Sequence, residues 1–194
     1  MKINKLDTRN KNLINLLQED GRNSLTGLGQ IMNLSHVSIQ KRLKKLCEKK
    51  QIHISANLSS KELELYFAVI LVEVDSYKQL KALMEKYSEC PRLVFFGTMT
   101  GAYNVISIIA AENQNILQSV INVCSMRSEP GLRRSDVFII DIPLKPQYIP
   151  FKIPMEGEAE VGKCGTKCEQ CERYLNNACV GCPGTKWYAN NTPL

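Results

Sequence analysis

Residues 67–71, Phe-Ala-Val-Ile-Leu, are apolar at every position, and the run continues as Val-Glu-Val-Asp to residue 75. Successive side chains of a strand point to opposite faces, so a strand apolar on both faces must be covered on both. Helices packed on one side of such a sheet leave the other side to a partner. The flanking sequence supplies those helices. Leu80, Leu83, Met84 and Tyr87 recur at helical spacing within 76–90, residues 92–100 and 102–111 read as two strands about Gly101, 113–126 as a second helix and 135–144 as a last strand. The order β-α-β-β-α-β is the ferredoxin-like split motif, an α+β fold.

Upstream, the period is helical. Asp7 is placed to cap a helix over 8–18 carrying Leu13, Ile14, Leu16 and Leu17 on one face, and Asp20-Gly21 ends it. A short helix over 25–32 turns Leu28 and Ile31 inward although Gly27 and Gly29 each weaken it by about 1 kcal/mol, and Asn33 suits a tight turn. Ser35 caps a third helix reaching Lys49, with Ile39, Leu43 and Leu46 inward and hydroxyl and cationic groups outward. Residues 51–58 alternate enough for a wing strand. This is the order of a winged helix-turn-helix, whose third helix fits a major groove. Ser35, His36, Ser38, Lys41, Arg42 and Lys45 are the candidate DNA-binding residues. His53 reads as structural or solvent-facing.

Charge agrees with that placement. Residues 1–55 hold 11 Lys or Arg against 4 Asp or Glu, whereas the remainder of the chain is nearly neutral, out of a net charge of +6. A basic segment on a neutral body is the footprint of one domain facing a polyanion.

From residue 5 to about 143 the chain resembles the leucine-responsive and asparagine-regulator (Lrp/AsnC) family of transcription factors. The resemblance is carried by LDTRNKNLINLLQEDGR, by NLSHVSIQKRLKKLCEKKQI as turn and recognition helix, and by GTMTGAYNV as a sensor turn. It implies double-stranded DNA as partner, homodimers that associate further, commonly to octamers, and a small effector, often an amino acid. The effector residues it implies are Gly97, Thr98, Thr100, Gly101, Tyr103 and Asn104. The family pattern has Asp after the aromatic residue; here Asn104 stands, without the charge that would meet an amino group. Read from the residues alone, Gly97, Gly101 and Tyr103 are equally a turn and an interface aromatic.

Eight cysteines remain to be placed. Cys47, Cys90 and Cys124 stand alone in apolar patterns and read as buried small hydrophobes. Cys164, Cys168, Cys171, Cys179 and Cys182 form C-x3-C-x2-C-x7-C-x2-C, with Gly165, Gly181 and Gly184 allowing tight turns. Two C-x2-C pairs point to a metal. Zinc would take Cys168, Cys171, Cys179 and Cys182 and leave Cys164 spare; the Cys182-Pro183 ending suits an iron-sulfur cluster; soft thiolates also suit Cu(I). The tail is similar to the cysteine-rich metal-sensing module (TRASH type) that some archaeal Lrp-like regulators append, although the spacing between its first two cysteines is shorter. Four prolines in 143–154 make a semi-rigid linker. Four segments follow: a DNA-binding domain over 1–58, an effector and oligomerisation domain over 59–143, a linker over 144–160 and a metal-binding tail over 161–194. Without paired carboxylates, a nucleophile–base pattern or a phosphate-cradling loop, an enzyme is not expected. Without a long apolar run or secretory signal, a cytoplasmic protein with no membrane partner is.

Overall fold

The computed structural model describes residues 6–188 except 125, 156, 163 and 178, and no side chain at 123, 124 or 128. The chain divides into two compact units, Met1–Ala56 and Asn57–Leu194. In the first, capping side chains start every helix by accepting a backbone N–H that the first turn leaves without a partner. Asp7 accepts from Asn10 at 2.7 Å and opens α1 (Thr8–Glu19). Ser24 accepts from Gly27 at 3.0 Å and opens α2 (Leu25–Met32). Ser35 accepts from Ser38 at 3.2 Å and opens α3 (His36–Glu48). Leu13, Leu28, Ile39 and Leu46 form the buried centre.

Between α2 and α3, Asn33 takes the left-handed conformation (φ 52°, ψ 49°), and Leu34 donates its N–H to the Gly29 carbonyl at 2.9 Å. A Cβ on Gly29 would lie 2.6 Å from the Leu34 carbonyl oxygen, so glycine here is what lets the turn close. Two expectations are corrected. Ile31 is 59% exposed, because the inward stripe of α2 runs through Leu25, Leu28 and Met32 and leaves Ile31 off its edge. Residues 51–57 form no strand, so no wing exists among the described residues of this unit. Ile52 turns to the core, while the neighbouring strand that a wing needs for its backbone hydrogen bonds is missing from these residues. The strand begins only at β1 (Leu58–Ser59), which pairs inside the second unit.

The second unit contains β2 (Tyr66–Val74), α4 (Tyr77–Tyr87), β3 (Leu93–Thr98), β4 (Val105–Ala111), α5 (Gln114–Ser119), β5 (Leu132–Ile140), β6 (Tyr148–Ile149) and α6 (Glu172–Leu175). The four long strands lie in the order β3-β4-β2-β5, all antiparallel. Ala68, Ile70, Val72 and Val74 pack under Leu83, Tyr87, Ile116 and Leu117. Met84, expected inward, is 42% exposed, the inner stripe of α4 being Leu80, Leu83 and Tyr87. On the opposite sheet face the register aligns Phe95, Ile108, Val69 and Phe138 in one row across the strands.

Part of that face is covered by the chain itself. Part of the segment expected as a semi-rigid linker is packed: β6 pairs with β1, and Ile149 and Phe151 are buried against Leu65, Phe67 and Ala110. Apolar side chains within reach of an open apolar face gain more by docking than by staying solvated. Phe95 and Phe138 remain 52% and 55% exposed.

Candidate functional site

On α3, His36, Lys41 and Lys45 are exposed as the helical spacing implies, Ser35 is exposed at the cap, and Ser38 is half-buried with its hydroxyl 3.0 Å from that of Ser35. Arg42 differs from expectation. Its Nη1 donates to Asn10 Oδ1 at 2.9 Å and pairs with Asp7 Oδ2 at 3.1 Å, so it ties α3 to the start of α1 instead of facing outward. The Asn10 N–H, followed by Arg42, holds the Asp7 carboxyl below the usual carboxylate range. Val37, Gln40 and Lys44 are exposed on the outward side as well. Positions 37, 40, 41 and 44 form an i, i+3, i+4, i+7 stripe, a spacing that could have singled out Val37 and Gln40 beside the cations. His53 is exposed.

At the end of β3 and in the turn after it, Thr98, Thr100 and Gly101 are exposed and Gly97 and Tyr103 half-buried. The Tyr103 hydroxyl donates to Asp136, and the Arg134 guanidinium lies 4.4 Å from the Tyr103 ring centroid. The bond to the Asp136 carboxylate raises the Tyr103 pKa. Asn104 is fully engaged: its Oδ1 accepts the Val74 N–H and its Nδ2 donates to the Val74 carbonyl, both at 2.8 Å. It closes the end of β2 as a backbone mimic would, and both ends of the amide are committed to Val74.

The five tail cysteines come together. Cys164, Cys168, Cys171, Cys179 and Cys182 all line one cavity of about 50 Å³, whose other wall is the α+β body: Ile70, Arg92, Leu93, Ile109 and Met126 among others. Gly165, Gly181 and Gly184 are left-handed, at φ 79°, 81° and 84°. A Cβ on Gly162 would fall 2.8 Å from Cys182 Cβ and 3.7 Å from the sulfurs of Cys164 and Cys182, so a bare backbone lets these two thiols approach. Burial, and then the charges of the other four thiols, push Cys168 up to about 11. Burial also raises Cys179, against a hydrogen bond from the Gly181 N–H. An all-sulfur donor set fits a soft metal. Among the described residues no three Cys, His, Asp or Glu side chains converge on the position of one ion.

The tail is docked on the body. Val180 packs against the α+β core, while Leu175 is 63% exposed. Tyr174 and Trp187 meet edge to face at 6.1 Å. Arg92 and Glu112 form a buried ion pair, side chains 4% and 2% exposed, and the Tyr188 hydroxyl donates to Glu112 Oε1 at 2.8 Å. Burial and the Glu112 carboxylate push Tyr188 up to about 12. An arginine at the start of an edge strand looks like a surface residue in the sequence, and no periodic signal marks this cluster. Of the isolated cysteines, Cys47 is exposed and Cys90 half-buried, both against expectation. The Cys124 side chain lies outside the described residues.

No family model matches the chain. Over 139 residues it is 27% identical to the HTH-type transcriptional regulator FL11 of Pyrococcus abyssi, covering 70% of this chain and 89% of that protein. Its fold is similar to that of E. coli AsnC, with a TM-score of 0.62 at 18% identity over 72% of this chain and 94% of the other. It is similar also to the transcriptional regulator NMB0573 of Neisseria meningitidis in complex with L-Met, with a TM-score of 0.64 at 20% identity over 74% and 94%. No helix among the described residues is long and apolar enough to cross a membrane. The chain is thus similar in sequence to HTH-type transcriptional regulators and shares the fold of AsnC, and each match leaves part of it uncovered.

Proposed function

We propose that the protein is a sequence-specific DNA-binding transcriptional regulator of the Lrp/AsnC type that works as a homo-oligomer and is modulated through a metal held by its tail. The observation that carries the reading is α3, which follows a closed tight turn and holds His36, Val37, Gln40, Lys41, Lys44 and Lys45 exposed along its outer side. An α-helix of this kind fills a major groove, its polar and apolar tips reading base edges and its cations neutralising phosphates. Oligomerisation rests on the apolar row Phe95, Ile108, Val69 and Phe138. An amino-acid effector, like the L-Met of the Neisseria regulator, would be met by Thr98, Thr100 and Tyr103, with Asn104 committed to Val74. Cys164, Cys168, Cys171, Cys179 and Cys182 would hold the metal, and its binding alters DNA affinity only insofar as it differs between the DNA-competent and incompetent states.

The test uses a duplex selected by the full-length protein from a random library. Lys41→Gln with Lys45→Gln should weaken binding and lower the slope of log affinity against log salt by about 1 for each phosphate that is no longer neutralised, leaving thermal unfolding unchanged. Arg42→Ala should instead lower stability by releasing α3 from Asp7 and Asn10. Wild-type affinity and salt slope in the double variant would overturn the assignment of α3.

A further inference from the structure

Arg92 is 4% exposed at its side chain and pairs with Glu112 through Nη1 at 2.5 Å. Its Nη2 is buried with no hydrogen-bond partner among the described residues. A buried, unsatisfied donor on a charged group is destabilising, and an acceptor arriving at that point would remove the cost. Arg92 lines the same cavity as the five tail cysteines. The remaining wall is largely apolar, including Ile70, Leu93, Ile109, Val120 and Met126. A buried cationic donor without an acceptor therefore belongs to the lining of the cavity that the five cysteines share.

The arrangement distinguishes one metal ion from several. A tetrahedral zinc site draws four sulfurs to about 2.3 Å from its ion and leaves no space inside. Here five cysteines, one more than a tetrahedral ion takes, line a cavity of about 50 Å³ together with residues of the α+β body. Thiols distributed over a wall suit a core of several irons bridged by inorganic sulfide, in which each cysteine binds its own iron. Such a core with its thiolates is anionic. Hydrogen bonds to its sulfurs tune its potential, and a guanidinium edge is a suitable donor.

We propose that this cavity seats an iron-sulfur cluster ligated by tail cysteines, and that Arg92 of the α+β body donates from Nη2 to the cluster's sulfur, joining tail and sheet through the charge of the centre. The proposal rests on the metal reading of the tail and narrows it. Arg92 is a positioning residue: it lies at the entry to β3, its carbonyl accepts the Ala110 N–H at 2.9 Å, and its partner Glu112 follows β4. A change in cluster charge would therefore be felt where the tail meets the sheet.

The full-length protein, purified anaerobically, should contain iron and acid-labile sulfide with a broad visible charge-transfer band, and Cys168→Ser with Cys179→Ser should lose both. One electron from dithionite would reduce one ferric site to ferrous with no bond made or broken. In Arg92→Gln the cluster should remain and its potential should move to more negative values, because the reduced, more anionic form loses a cationic donor. Arg92→Lys should recover part of that shift. Zinc without sulfide would overturn the cluster while leaving a metal-binding tail. Absence of any metal, even after reconstitution with ferrous iron and sulfide, would overturn both. An unchanged potential in Arg92→Gln, with the band retained, would overturn the role of Arg92.

Discussion

Asn104 stands where the resembling family has an acid, and its environment gives the reason. The Val74 N–H and carbonyl both use its side chain, at 2.8 Å each, a task needing one donor and one acceptor in the same planar group. An ionised carboxylate supplies two acceptors and no donor. Asn104→Asp should therefore destabilise the protein by about 1–3 kcal/mol at neutral pH, since the Val74 carbonyl loses its partner and faces a charge. The penalty should shrink as pH falls towards about 4, because a protonated carboxyl restores the donor and the folded form takes up that proton first. Urea unfolding at both pH values checks this, and equal midpoints of variant and wild type at neutral pH would show that the clamp carries no stability. The chemical difference was legible as an unusual residue in GTMTGAYNV. Its cause was not, because Val74 lies 30 positions away and only the fold brings it alongside.

At the scale of elements, β2 was the most legible piece of the chain, since a run apolar on both faces has few other solutions. Its register sets Phe95, Ile108, Val69 and Phe138 in a row; Ile108 packs against the cluster of Ile149 and Phe151, while Phe95 and Phe138 stay more than half exposed. Burying that row between two copies is the expected association. Phe138→Glu should weaken self-association at least tenfold, or about 1.4 kcal/mol, by setting an unpaired charge in an apolar interface. Phe138 is 55% exposed within one chain, so the variant's own stability should change by no more than about 0.5 kcal/mol. Sedimentation equilibrium at micromolar concentration reads the outcome, and a monomeric wild type would remove the interface. The wing shows the opposite limit. Residues 51–58 alternate well enough for a strand, but a strand exists only with a neighbour, and the neighbour of Leu58 and Ser59 is Tyr148–Ile149, outside the reach of any local pattern.

For the whole molecule, the tail belongs to the second unit, and Tyr188 is one of its fastenings. Burial and Glu112 raise its pKa to about 12, so the neutral phenol is the form favoured in the folded state. The stability it contributes is complete below the unfolded value of about 10 and is lost as pH rises through the folded value. Trp187, the sole tryptophan, reports the docking, its Nε1 donating to the Glu160 carbonyl at 3.1 Å. Its fluorescence should hold steady to about pH 10 and change between about 10 and 12. Tyr188→Phe should lack that transition and lose about 1–3 kcal/mol at neutral pH, because Glu112 Oε1 is left without its donor. An identical alkaline transition in the variant would refute the fastening.

What the sequence determined by itself was local or periodic. Capping serines and Asp7, the helical stripes, the two-faced strand and the C-x2-C pairs each act over a few residues, so their chemistry can be read in order along the chain. Tertiary structure decided everything that depends on which distant groups meet. Arg42 turned to Asp7 and Asn10 because α1 starts beside it, although its place on α3 suited an outward cation. The supposed linker became a cover for the sheet because an apolar face was open beneath Ile149 and Phe151. Arg92, Glu112 and Tyr188 are spread over nearly a hundred positions, and each is ordinary alone. Burial and charge are properties of neighbours in space, and those neighbours are set by the packing of the cysteine segment against the α+β body.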